Sequence, residues 1–145
     1  MHMERFRKQL VLNNNINEIA SLAEFIDSIV EESSLDASFG MSLNLALEEA
    51  VTNVILYAYP EGKSGTVTIT VEGVDNVLTF VICDSGVPFD PTKKEDADIT
   101  LSAEERPIGG LGIFLVKQLM DEVSYEYVDG QNVLTLKKTI VPLSE

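Results

Sequence analysis

Glu49 and Asn53 stand four residues apart in Glu49-Ala50-Val51-Thr52-Asn53, inside a stretch with helical apolar spacing. On a helix of 3.6 residues per turn they project from one side, about 40° apart around the axis. They fall at the flank of the apolar face, where a helix can overlook a cleft. An amide oxygen is a neutral, hard ligand suited to Mg²⁺, which keeps several waters and takes phosphate oxygens as its other ligands. A nearby carboxylate can orient a hydroxyl or a water, or accept its proton. The plain alternative is a surface glutamate beside an asparagine that bonds locally within the helix.

Asp84-Ser85-Gly86-Val87-Pro88-Phe89 follows an apolar run. A carboxylate buried there costs several kcal/mol unless something donates to it. The exocyclic amine of adenine is such a donor, whereas guanine carries a carbonyl at that place. Gly86 lets the backbone approach a flat base, and Phe89 is counted with the nucleotide-binding residues. The alternative is a turn closed by an aspartate side-chain bond. Gly109-Gly110-Leu111-Gly112 then precedes an apolar helix, and free N–H groups at such a start make an anion site; alternatively, the glycines form a hinge. Of the nearby cations, Arg106 is placed to reach a terminal phosphate, while Lys117 is expected to be solvated. Metal, base and phosphates together make an ATP site.

The elements that must position these residues follow from periodicity. Phe6 to Leu12 reads as a strand, ended by Asn13-Asn14-Asn15. Asn15 or Asn17 caps a helix with apolar positions Ile16, Ile19, Leu22, Ala23, Ile26, Ile29 and Val30. A second helix runs from about Asp36 to Ala58, stopped by Pro60 and Gly62. Thr66 to Glu72 alternates, and Val77 to Cys83 reads as a strand buried more fully, the two forming a hairpin around Asp75-Asn76. Residues 84–107 have little periodicity and read as a lid or binding loop. Gly112 to Met120 is a short helix. Val123 to Val128 and Asn132 to Ile140 are strands around the hairpin signal Asp129-Gly130. Strands gathered in hairpins predict an α+β two-layer sandwich, a mixed or antiparallel sheet with about three helices on one face.

The 145 residues are the length of one domain, and 45% are hydrophobic, enough for a core. The formal net charge of −14 argues against nucleic acid and anionic membranes as partners. It favours a partner with a basic face. No apolar run approaches the roughly 20 residues of a membrane span, and no signal-peptide pattern opens the chain. The single cysteine, Cys83, fits a reducing cytoplasm and reads as a small apolar residue ending a buried strand. The single histidine, His2, lies in the Met-His-Met start and is left out of the chemistry.

Glu49-Ala-Val-Thr-Asn53, Asp84-x-Gly86 and Gly109-Gly-x-Gly112 resemble the nucleotide-binding boxes of the ATPase superfamily shared by DNA gyrase, heat-shock chaperones, histidine kinases and mismatch-repair ATPases. Within it, the short form with Glu-Ala-Val-Thr-Asn is similar to bacterial anti-sigma factor serine kinases, and the likeness runs from about Phe6 to Ile140. The resemblance implies a histidine-kinase-like ATPase fold over residues 1–145. Asn53 would hold Mg²⁺, Glu49 would act as general base, and Asp84 would read adenine. Gly86 would shape the base pocket, and Gly110 and Gly112 would cradle phosphates. Arg106 falls where some members place an arginine near the γ-phosphate. It further implies phosphorylation of a serine or threonine on an antagonist protein, sequestration of a sigma factor, and a homodimer. Two departures are visible: Pro88 stands where many members have a further glycine, and Arg106-Pro107-Ile108-Gly109-Gly110 is more apolar than a Ser-Gly version. A module that switches partner binding with ATP, without phosphotransfer, is the alternative function.

Overall fold

Period-two alternation and turn chemistry build the sheet. In the computed structural model, which describes residues 5–33, 35–60, 62–93 and 112–140, the strands are β1 (Phe6–Asn13), β2 (Thr66–Val74), β3 (Val77–Asp84), β4 (Glu122–Val128) and β5 (Gln131–Thr139). Their order is β1-β2-β3-β5-β4, and every neighbouring pair is antiparallel. The mixed option is therefore resolved to antiparallel. At the β2–β3 turn Asp75 and Asn76 take φ of 51° and 64°, and at the β4–β5 turn Asp129 and Gly130 take 53° and 78°. These left-handed pairs match the twist of two-residue hairpins.

One face of the sheet carries the core. Val67, Ile69, Val71, Leu78, Phe80, Ile82, Leu134 and Leu136 occupy alternate positions and are buried, each such side chain contributing about 1.5–3 kcal/mol. Their neighbours Val77, Val81, Cys83 and Val133 are only half-buried. The run Val77–Cys83 is thus buried on one face, not both, because all the core-forming alternate positions point to the same side. Cys83 accordingly lies on the sheet's outer face instead of in the core.

The helices cover the inner face. Asn15 caps a single 3₁₀ turn (Ile16–Glu18), its side chain accepting from the Asn17 N–H at 2.9 Å, and α1 (Ile19–Glu32) follows. That turn puts Ile16 out of phase with the helix, so it is 49% exposed; Ala23 is exposed as well. Leu22, Ile26 and Ile29 anchor α1 in the core. Asp36 caps α2 (Ala37–Tyr57) by accepting from the Ser38 N–H at 2.9 Å. α2 packs against both α1 and the short α3 (Gly112–Leu119).

Candidate functional site

Asn53 faces inward from α2 and is 2% exposed. Its Nδ2 donates to the Glu49 carbonyl at 3.0 Å. A carbonyl only accepts, so the amide's orientation is settled and Oδ1 is the atom left over. That Oδ1 is buried and has no partner among the described residues. The local bond is real, and it leaves Oδ1 free. One turn back, Glu49 is half-buried. Burial, then the neighbouring Glu48 charge, push its carboxyl above the ordinary glutamate value, which suits a proton acceptor.

Asp84 ends β3 on the inward-facing parity of Leu78, Phe80 and Ile82 and is 3% exposed. Its Oδ1 accepts from the Gly86 N–H at 2.8 Å and from Asn132 Nδ2 at 2.9 Å. Its Oδ2 is buried without a partner among the described residues. Burial raises this carboxyl above the ordinary aspartate value, and the two donors only partly oppose that. An unpaired buried acceptor of this kind is costly, at roughly 1–3 kcal/mol, unless a ligand donates to it.

The loop after Asp84 is fastened to the end of α2. The Val87 N–H donates to the Ala58 carbonyl at 2.7 Å. A Cβ on Gly86 would lie 2.2 Å from that same carbonyl oxygen, so the glycine is required by close approach to α2, independent of any base. Phe89 is half-buried and stacks obliquely on Tyr57, ring centres 5.6 Å apart. Glu49, Asn53, Asp84, Gly86 and Phe89 are thus carried by two elements tied together at the C-terminal end of α2.

Arg106, Gly109, Gly110 and Leu111 lie outside the described residues, as does most of the expected lid. Gly112 opens α3. Lys117, expected to be solvated, also reaches the Thr92 carbonyl at 3.3 Å and so ties α3 to the segment that follows Asp90.

Sequence reasoning missed Asn132. It is 3% exposed and lies opposite Asp84 in the β3–β5 register. Its Nδ2 also donates to the Val87 carbonyl at 2.8 Å, while its Oδ1 accepts from the Phe89 N–H at 2.9 Å and from the Tyr125 hydroxyl. The available signal was parity: Asn132 shares the inward face of β5 with Leu134 and Leu136. Tyr59 was missed too. Its hydroxyl donates to the Thr66 carbonyl at 2.7 Å and accepts from the Ser85 N–H at 3.0 Å, bracing the loop from the other side.

The residues fit Mg²⁺ and an adenine nucleotide: a free buried amide oxygen for the metal, and a free buried carboxylate oxygen for an amine. Among the described residues there is no group of three or more His, Cys, Asp or Glu that could hold a metal by themselves.

Known proteins resemble this chain in sequence and in fold. The chain is 32% identical over 127 residues to the serine-protein kinase RsbW of Listeria monocytogenes serovar 1/2a, covering 85% of this chain and 74% of that protein. It is 27% identical over 120 residues to the serine/threonine-protein kinase BtrW of Bordetella bronchiseptica, covering 83% and 84%. A structure of the RsbU and RsbW domains of a Mycobacterium tuberculosis protein shares its fold with a TM-score of 0.69 at 15% identity, over 97% of this chain and 34% of that one. The catalytic domain of the histidine kinase ThkA, nucleotide-free, does so with a TM-score of 0.54 at 18% identity, over 99% and 100%. The chain also matches the histidine kinase-like ATPase domain over residues 12–138, a range that encloses Glu49, Asn53, Asp84 and Asn132, and it belongs to that family.

Proposed function

We propose that this chain is a Mg·ATP-dependent serine/threonine protein kinase of the anti-sigma type, a single-domain cytoplasmic regulator of transcription. It phosphorylates an anti-sigma antagonist protein and sequesters a sigma factor. The observation that carries the ATP site is the pair of buried, unpartnered oxygens, Asn53 Oδ1 and Asp84 Oδ2, on elements fastened together. The protein-kinase reading rests on the curated kinases to which the chain is similar.

Asn53 Oδ1 would hold Mg²⁺, whose chemistry when bound is to neutralise phosphate charge. Asp84 Oδ2 accepts from the adenine amine, and Asn132 keeps the other carboxylate oxygen occupied so that this one faces the base. Glu49, with its raised pKa, takes the proton of the acceptor hydroxyl as the γ-phosphoryl group passes from ATP to that oxygen and ADP leaves. Arg106 is assigned to the γ-phosphate, and Gly109, Gly110, Leu111 and Gly112 to the phosphate chain. Exposed Val11 on β1 (54%) and Ile16 before α1 (49%) support a homodimer through this edge.

The first measurement is thermal melting with and without Mg·ATP. A ligand at about 100 times its Kd adds about 2.7 kcal/mol of stability, and the Asn53→Ala variant should lose that gain. The second follows labelled phosphate from ATP to the cognate antagonist, with Glu49→Ala slowed by at least about 100-fold. No melting shift in wild type removes the ATP site, whereas a shift with transfer unaffected by Glu49→Ala removes the catalytic assignment alone.

A further inference from the structure

A second surface lies at the opposite end of α2 from Ala58. The α1–α2 corner encloses an open groove of about 580 Å³, walled by Val30, Leu35, Ala37 and Met41 and rimmed by Asp27 and Glu31. Gly40 permits it: a Cβ there would come within 2.9 Å of Val30 Cγ2, so the two helices meet closely and leave a channel along their seam. Met41 is 74% exposed and Leu45, one turn on, is 42% exposed. With Glu48 they form a stripe at spacings of four and three along α2. Flexible methionine is a frequent lining of helix-binding grooves.

The groove's own charged residues have one sign. No Lys or Arg stands anywhere between Lys8 and Lys63, so α1 and α2 contain no cation of their own. Lys8, reaching over from β1, is paired with Glu32, the last residue of α1 and the neighbour of Glu31. Asp27 holds Asn44 across the seam at 3.2 Å, while Glu24, Glu31 and Glu48 remain exposed. An apolar channel between helices, whose charged rim residues are the carboxylates Asp27 and Glu31, complements an amphipathic helix whose apolar ridge is flanked by Lys or Arg.

We infer that the α1–α2 corner docks a basic amphipathic helix of a partner protein. Its apolar ridge lies on Met41, Leu45 and Val30, and its cations face Asp27, Glu31 and Glu48. The site uses none of the nucleotide-site residues, so it stands whether or not the kinase reading does.

The test uses the whole chain without nucleotide and a fluorescent synthetic peptide of about 18 residues, five helical turns, built of Leu and Lys with Leu at helical spacing. A peptide of the same composition with Leu at alternate positions is the control. Anisotropy titration should show the helical peptide binding at least about tenfold tighter than the control. The neutral double variant Met41→Gln/Leu45→Gln should weaken it by about tenfold, while Glu126→Gln/Asp129→Asn on the far edge of the sheet should stay within about twofold. Asp27→Asn/Glu31→Gln is the second groove variant should the first fail to fold; it should weaken binding and flatten its salt dependence. Equal binding of both peptides, or undiminished binding to a folded groove variant, overturns the proposal. So does a wild-type dimer that Met41→Gln/Leu45→Gln splits into monomers, since the groove would then belong to a second copy of this chain.

Discussion

At Asp84 burial and hydrogen bonding pull in opposite directions, and burial is the larger effect. A carboxyl whose pKa is raised in the fold holds a proton that the unfolded chain has already released. Stability from this group is therefore present at low pH and declines as pH rises from the ordinary aspartate value to the raised one, after which the deficit is constant. Asp84→Asn removes that deficit while an amide oxygen can still accept from Gly86 and Asn132. The variant should melt at or above wild type at neutral pH, with the advantage shrinking on acidification. Its ATP affinity should fall at least about tenfold, because an NH₂ group then faces the adenine amine. Paired melting curves across pH with ATP titrations read both effects. A variant that melts lower at neutral pH and binds ATP normally would remove Asp84 from base reading. For wild type, ATP affinity should weaken on the acid side as Asp84 takes up its proton.

Among the elements, the loop from Asp84 to Phe89 depends on how closely it can approach the end of α2. The atom that a Gly86 side chain would strike is a backbone oxygen, which cannot swing aside. Gly86→Ala should cost about 1–3 kcal/mol and weaken ATP binding together with stability. Gly130→Ala makes a useful contrast. Its φ of 78° is strained for any L-residue, but nothing lies within 4 Å of the new methyl, so about 1–2 kcal/mol of backbone strain is expected with ATP affinity kept. Denaturant melts with parallel nucleotide titrations separate the two; a neutral Gly86→Ala would show that the loop is not held to α2 by close approach. This level also shows what was legible beforehand. Helical and period-two spacing located the three α-helices and five strands among the described residues to within a few positions, because each turns one face toward the core. The 3₁₀ turns, Pro91–Lys93 and the one at Ile16–Glu18 that rotates Ile16 away from the α1 face, have no such signature.

For the whole molecule, an excess of fourteen negative charges means self-repulsion that the compact state concentrates. The ion pairs present, such as Arg7–Glu72 at 3.5 Å and Lys137–Glu122 at 3.8 Å, are exposed and contribute little each. The melting temperature should therefore rise between about 10 mM and 150 mM salt, where the Debye length shrinks from about 30 to 8 Å. A flat or falling profile would mean that local ion pairs outweigh the net repulsion. Sedimentation at micromolar concentration tests the dimer: Val11→Ser/Ile16→Ser should shift a dimer to monomer, and a wild type that is only monomeric removes this proposal.

Residue order alone determined the two-layer α+β arrangement, since apolar periodicity and turn residues are local properties written along the chain. It also singled out Glu49, Asn53 and Asp84, whose polar chemistry interrupts otherwise apolar elements. Whether each side chain would spend itself on a local bond or keep an atom for a ligand was not local. Asn53 and Asp84 do both, one atom each, and only packing shows which oxygen is left buried and unpaired. Asn132 read only as the first residue of the last strand until β5 paired with β3 and set it opposite Asp84, forty-eight residues away. That pairing, and the contact between Gly86 and Ala58, arise from distances across the fold that no spacing in the sequence encodes.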